Sequence, residues 1–551
     1  MLRKQIYGHL IIFINVFNFK YTLTVYYKNV CNIVPLQITM VKIGDNKISA
    51  DDFYKVLINN LQLNIDDDAI KKVYRSFYFL KEFTREKLIY GINTGFGPMA
   101  QYRINHDDQI KLQYNLIRSH CSGAGNPIPE IDCKAVMLAR LNTLLQGYAG
   151  IHPDTLILIK DLINKNISPV IYEHGGLGAS GDLVQLAHLA LCLIGEGEVW
   201  YGNKICDANE VFKKENLKPM EIHIREGLAL MNGTSAMSGT GILNVIYAEN
   251  LMDWSLMASA VIMEIVQSFD DHYSTPLNEV KHHYGQNAVA KALQKVLADS
   301  KLVKSREEHH YNQKVEADVL VEKMQEYYSI RCVPQIAGPI VDTISYAKEV
   351  LINEINSAND NPIVDWERKN VYHGGNFHGD YVALEMDKLK IAITKLCMLS
   401  ERQLNFLLND KLNNILPPFV NHGTLGLNLG MQGVQFTATS TTAENQMLSN
   451  PMYIHSIPSN NDNQDIVSMG SNASLICKKV ILNSYEVLAI EWMAILQAVD
   501  YLKIEDKLSL KSKEIYSNLR KIFPCFKEDN THYKEIKAVR DYIFNTHIEI
   551  L

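Results

Sequence analysis

Helical patterning runs through most of the chain. Residues 251–266 are apolar almost throughout, broken mainly by Asp253 and Glu264, which predicts a helix buried on most sides in the middle of a bundle. Between 382 and 409, Met386, Leu389, Ile391, Ile393 and Leu396 recur at mixed spacings around Lys388, Lys390 and Lys395, the pattern of a helix with a broad buried face. The stretches 110–146, 236–269 and 340–357 favour helix as well. Strand signals are short and sparse, at 169–172 and 199–201. The expected fold is mainly α, a bundle of long antiparallel helices with functional loops at their ends. A loop-rich N-terminal part, 40–215, is expected to meet the helical body, 216–551, near residue 215.

Composition narrows the class. A length of 551 residues allows roughly three or four average domains, but no repeat, low-complexity tract or Pro-rich linker divides the chain. Hydrophobic residues at 47% and charged residues at 21% are ordinary for a soluble globular protein. The formal charge is -7 and basic residues are not gathered into a stripe, which argues against nucleic acid as a partner. Nine cysteines lie dispersed without a Cys-x-x-Cys pair, the pattern of reduced thiols in a cytosolic protein. Near the start, Arg3 and Lys4 precede an apolar run at 10–17, but Asn15 interrupts it and no small-x-small cleavage site follows. That run is too short to span a bilayer, so no membrane partner is expected.

Candidate chemistry begins with Gly175-Gly176-Leu177-Gly178-Ala179-Ser180-Gly181-Asp182, followed at once by an apolar run at 183–194. Alone, such a segment reads as a turn ahead of a helix. It lacks the spacing of a phosphate-binding loop. It also lacks a Gly-x-Ser-x-Gly elbow, because Asp182 stands two residues after Ser180. Glycine reaches positive φ without steric cost, so the loop can press an amide nitrogen against a nearby carbonyl carbon. Other segments add weight: Tyr90-Gly91-Ile92-Asn93-Thr94-Gly95-Phe96-Gly97, Leu116-Ile117-Arg118-Ser119-His120 and Leu230-Met231-Asn232-Gly233-Thr234. Further along come Gln325-Glu326-Tyr327-Tyr328-Ser329-Ile330-Arg331, Asn356-Ser357-Ala358-Asn359-Asp360-Asn361-Pro362, His373-Gly374-Gly375-Asn376-Phe377 and Asn463-Gln464-Asp465.

In this order the segments resemble the aromatic amino acid ammonia-lyases, the histidine, phenylalanine and tyrosine lyase family, from about Met40 to the C-terminus. The resemblance implies that Ala179, Ser180 and Gly181 lose water and become a 4-methylidene-imidazol-5-one, an electrophile made from the chain, with no exogenous cofactor and no metal. It also implies a homotetramer with active sites shared between subunits. Because it starts only near Met40, residues 1–39 read as a non-native extension from a misassigned start codon.

Roles follow by the same resemblance. Tyr90 is the general base at the substrate's β-carbon, on a glycine-rich loop able to close over substrate. A phenol titrates near 10, so a base working at neutral pH needs helix N-termini or a cation aimed at its oxygen. Asn232 hydrogen-bonds the ring oxygen. Arg331 anchors the carboxylate through paired hydrogen bonds, with Tyr328 and Gln325 beside it, and Phe377 packs near the ring. Ser119-His120 is similar to the Ser-His pair of histidine lyases. Gln464, however, stands where those enzymes carry a glutamate, and a neutral amide suits a phenol better than an imidazole. The chain looks closest to bacterial tyrosine lyases, so L-tyrosine to trans-p-coumarate is the expected reaction. Histidine to urocanate comes second, then a phenylalanine lyase or an aminomutase. From a different class, a serine hydrolase using Ser180 would need a histidine base at its hydroxyl, and an inactive helical scaffold would not keep Tyr90, Ser180, Asn232 and Arg331 together.

Overall fold

The 251–266 run closes a 31-residue helix, Ser235–Ile265, with Val266 as its C-cap, enclosed on nearly every side. This computed structural model describes residues 12–14, 23–25, 40–312, 318–319 and 324–551. Apart from a two-stranded pairing of Ile12–Ile14 with Leu23–Val25, the expectation for residues 1–39 lies outside the described residues. Beside the buried helix stands Gly470–Leu502, 33 residues long. By length and composition it is the one described helix able to cross a membrane, yet 89% of its most apolar window is buried inside the fold. Trp254 and Trp492 meet edge to face between the two helices, with ring centroids 5.7 Å apart.

The helix expected over 382–409 is Asp380–Leu408, and that over 340–357 begins earlier, as Val333–Ile355. The 110–146 stretch divides into Gln109–His120 and Glu130–Leu145, separated by a segment carrying Pro127 and Pro129. Proline lacks the N–H that would continue the helix. Antiparallel packing is present. Gln432–Leu448 runs against Asp380–Leu408, with Gln435 donating to Asn405 at 3.3 Å and Ser449 to Thr394 at 2.7 Å. Within that arrangement the three longest helices share a direction. Ser235–Ile265, Asp380–Leu408 and Gly470–Leu502 all start at the Gly178–Asp182 loop: Gly379 N–H donates to the Gly178 carbonyl (3.0 Å), Met469 N–H to that of Leu177 (2.9 Å), and Asp182 N–H to that of Gly233 (2.8 Å).

Sequence pattern marks Lys390 as polar, but it is fully enclosed, with its ammonium on Asp387 at 2.6 Å and on the Asn450 carbonyl at 2.8 Å. A buried charge has to be paired, and here the partner is one helical turn away. Strands are confined to short pairings such as Ser168–Pro169, Glu198–Tyr201 and Lys204–Asp207. The main apolar cluster takes residues from Val41 to Ile550, on both sides of residue 215. The described cysteines are free thiols.

Candidate active site

Gly181 fixes the loop's geometry. Its φ of +72° lies in the left-handed region, and its Cα sits directly on the Gly233 backbone, where no Cβ fits. Gly181 and Gly233 pair as a short β-bridge, bringing Asn232 alongside. Asn232 Nδ2 donates to the Ser180 carbonyl oxygen at 2.9 Å, while its Oδ1 accepts the Asn361 N–H at 2.9 Å. Both ends of the amide are therefore fixed, and with them its orientation.

The next residue, Asp182, is wholly buried. Its carboxylate accepts the backbone N–H groups of Ala236 and Met237 at 2.9 Å each and the Ser471 hydroxyl at 2.5 Å. Burial pushes its pKa up to about 6, against the pull of those donors. One side chain thus ties together the starts of Ser235–Ile265 and Gly470–Leu502, while Leu183–Leu193 begins immediately after it. Four helix N-termini, that of Asp380–Leu408 included, converge on the loop. Their aligned dipoles favour negative charge there, such as would build on the Ser180 oxygen.

Tyr90 stands on the next layer. Its hydroxyl oxygen accepts the Gly97 N–H at 3.0 Å, and its ring meets Phe96 edge to face at 6.2 Å. Buried Gln113 ties this segment to the one ending in Asn232, with Nε2 donating to the Gly91 carbonyl at 3.0 Å and Oε1 accepting Leu228 N–H at 3.1 Å. On its far side Gly97 packs on Asn460, in the turn that carries Gln464. Gln464 Nε2 donates to Ser180 Oγ at 2.9 Å. Phe377, half-buried, lies two residues before Gly379 on the segment bonded to Gly178.

Ser119 and His120 end the Gln109–His120 helix. His120 Nδ1 lies 2.9 Å from the Leu116 carbonyl oxygen, so that nitrogen is assigned the proton and Nε2 is left as an acceptor.

Gln325, Tyr328 and Arg331 gather elsewhere. Arg331 donates to Gln325 Oε1, and its guanidinium lies over the Tyr328 ring at 4.6 Å. Gln325 and Tyr328 border a cavity of about 680 Å³ with Arg402 and Phe406. Gln403 Nε2 donates to the Ser329 carbonyl at 2.8 Å, which fixes this group beside residue 403 of the Asp380–Leu408 helix. At ~1.5 Å per residue, that point is about 35 Å along the helix from the end that meets the Ser180 loop. A single chain does not bring Arg331 to Ser180.

Several functional positions escaped the sequence reading. Arg140, buried, donates to the Asn359 side chain at 3.3 Å, to the Asn232 carbonyl at 3.0 Å and to the Ala229 carbonyl. Burial lowers its pKa to about 10. Arg225 and Asp360 form a two-pronged buried pair at 2.9 Å on each side. The 356–362 motif was visible but carried no role; its Asn361 N–H bonds the Asn232 side chain, Asn359 holds Arg140 against the Asn232 carbonyl, and Asp360 pairs Arg225. Asp360→Ala strands the Arg225 charge, and equilibrium urea unfolding should register a loss of about 3–5 kcal/mol.

The sequence matches the family model for "Aromatic amino acid lyase" over residues 48–521. A tyrosine 2,3-aminomutase from Myxococcus sp. (strain Mx-B0) is 37% identical over 89% of this chain and 94% of its own length. A histidine ammonia-lyase from Geobacillus sp. (strain WCH70) is likewise 37% identical, over 92% of this chain and 96% of its own. Among solved structures, the tyrosine aminomutase from Streptomyces globisporus superposes with a TM-score of 0.88 at 33% identity, covering 92% of this chain and 97% of that one. With the family model covering most of its length, the chain belongs to the aromatic amino acid lyase family and is a carbon–nitrogen lyase.

Proposed function

We propose that this enzyme eliminates ammonia from L-tyrosine to give trans-p-coumarate, using a 4-methylidene-imidazol-5-one formed from Ala179, Ser180 and Gly181. The loop fits that group. Gly181 is held in the left-handed region against Gly233, and the Ser180 oxygen, which would become the ring oxygen, already takes the Asn232 amide. The group would supply an electrophilic carbon to capture the substrate. Asn232 and the converging helix N-termini would hold negative charge at the ring oxygen. Tyr90, through its phenol oxygen, would take the β-proton. His120, with Nε2 as acceptor, would receive the phenolic O–H of tyrosine.

The observation that carries the substrate choice is the uncharged Gln464 amide at Ser180, 2.9 Å from its hydroxyl. An imidazole-handling site gains most from a carboxylate, whereas an amide serves a neutral phenol. The test is to supply tyrosine, phenylalanine and histidine in parallel and read the ultraviolet spectra of the products. Urocanate forming faster than p-coumarate would reverse the assignment in favour of Ser119-His120 and the histidine ammonia-lyase relative. The tyrosine 2,3-aminomutase relative supports a second reading, in which nitrogen is retained and β-tyrosine accumulates. A serine hydrolase finds no support, since the partner of the Ser180 hydroxyl is Gln464 and not a histidine.

Gln464→Glu should move preference toward histidine. A charge-assisted hydrogen bond is worth about 1.5–3 kcal/mol against about 0.5–1.5 for a neutral one, so the histidine-to-tyrosine ratio of kcat/KM should rise about tenfold. An unchanged ratio would remove Gln464 from substrate choice.

We further propose a cytoplasmic homotetramer in which Arg331, Tyr328 and Gln325 of one subunit face the Ser180 loop of another. The 35 Å separation within a chain supports this, as do exposed side chains such as Leu425 (60%), Leu427 (74%) and Ile457 (67%), on the stretch that leads to Gln464.

A further inference from the structure

We infer that Gln464 acts on the loop before it ever meets substrate, as the donor that helps the Ser180 hydroxyl depart; this rests on the reading of Ala179, Ser180 and Gly181 as the source of the ring. The contact is direct, from Gln464 Nε2 to Ser180 Oγ at 2.9 Å, and both side chains are half-buried. It is also held from behind. Asn460, Asn461 and Asp462 take left-handed φ values of 56°, 51° and 58°, residues that tolerate that region well. Ser459 and Gln464 exchange backbone hydrogen bonds at 3.0 and 3.2 Å across this turn. Downstream, Val467 N–H donates to the Ser456 hydroxyl at 3.0 Å and Met469 N–H to the Leu177 carbonyl at 2.9 Å. The amide therefore projects from a turn anchored on both sides, one anchor being the reactive loop itself.

Ring formation costs the chain two waters and needs no other reagent. In the first loss, Gly181 N bonds to the Ala179 carbonyl carbon, whose oxygen leaves with the protons of the Gly181 and Ser180 amides. In the second, the Ser180 Cα–H and Cβ–Oγ bonds break and a Cα=Cβ double bond forms. The proton and hydroxide so released make the second water. Hydroxide is a poor leaving group, and negative charge gathers on Oγ as its bond to carbon stretches. A fixed N–H donor at that atom stabilises the charge where it develops. Asn232 acts at the other end, on the Ser180 carbonyl oxygen that takes up charge as the Cα proton is lost. Two amides thus bracket one residue. When Oγ has gone, Gln464 Nε2 loses its partner and is released to face the substrate, so one residue serves maturation first and specificity afterwards.

Intact mass measured on chains collected at intervals after a short pulse of expression tests this. Wild type should reach a two-water deficit. Gln464→Leu and Gln464→Met should lose the first water normally and hold at one, completing the second loss roughly ten- to hundredfold more slowly. Gln464→Met keeps the length of the side chain but has no donor, so it decides the matter if the leucine variant fails to fold. Ser180→Ala, which can lose at most one water, marks the intermediate mass. Both Gln464 variants shedding the second water at the wild-type rate would overturn the inference. So would a variant stalled at full sequence mass, since the amide would then be serving ring closure. Wild type at full sequence mass sinks a different idea, the ring itself.

Discussion

Ser180→Ala should lose turnover by several powers of ten, the largest effect expected of any single substitution. It removes the hydroxyl whose departure would turn Cβ into the methylidene carbon, whereas removing a positioning residue leaves the electrophile in place and merely misaligned. The loss should come with a mass signature. Active wild type should weigh two waters less than its sequence, and the alanine variant should not. Borohydride, which reduces such an electrophile, should inactivate wild type, while dithiothreitol should not. Active wild type at full sequence mass would end the proposal.

Nearly as large is the expected effect of mixing two dead enzymes. On the proposed roles, Tyr90→Phe would lack the base and Arg331→Ala the carboxylate anchor, so each variant alone should be close to inactive. If a site takes Tyr90 from one subunit and Arg331 from another, refolding the two chains together in equal amounts restores both groups at about a quarter of sites, on random assembly. Activity near that fraction is the expected result. No recovery, together with a mixed tetramer seen by native mass spectrometry, would mean that Arg331 does not work across an interface. A fully active monomer in sedimentation would exclude sharing altogether.

Much of the candidate site was legible in one sequence because the chemistry proposed for it depends on unusual local composition. Four glycines stand around Ala179-Ser180, and Asn232 is followed by the glycine that has to admit Gly181. The long helices were equally legible, since 251–266 is too apolar to lie anywhere but inside. What stayed hidden depends on distance in sequence. Arg140 and Arg225 look like surface cations until residues 356–362 arrive to pair them, and Lys390 looks solvated until the Asn450 carbonyl covers it. Gln113 sits in an ordinary amphipathic helix, and nothing local indicates that its two ends span Gly91 and Leu228. The common direction of the three longest helices was also illegible, because periodicity fixes which face is buried and says nothing about which end meets which.

That common direction has a consequence for the chain as it is made. The partners of residues 177–182 come from Gly233, Gly379 and Met469, contacts of very high order that pay their loop-closure entropy late. Until synthesis has passed residue 469 the loop lacks the full set of these partners. If the ring forms as proposed, a nascent or misassembled polypeptide would still carry an ordinary serine there, inert toward the amines and thiols of the cell. On the proposed chemistry, reactivity would appear only when segments separated by almost 300 residues have come together, and the electrophile would double as a chemical certificate that the subunit has finished folding.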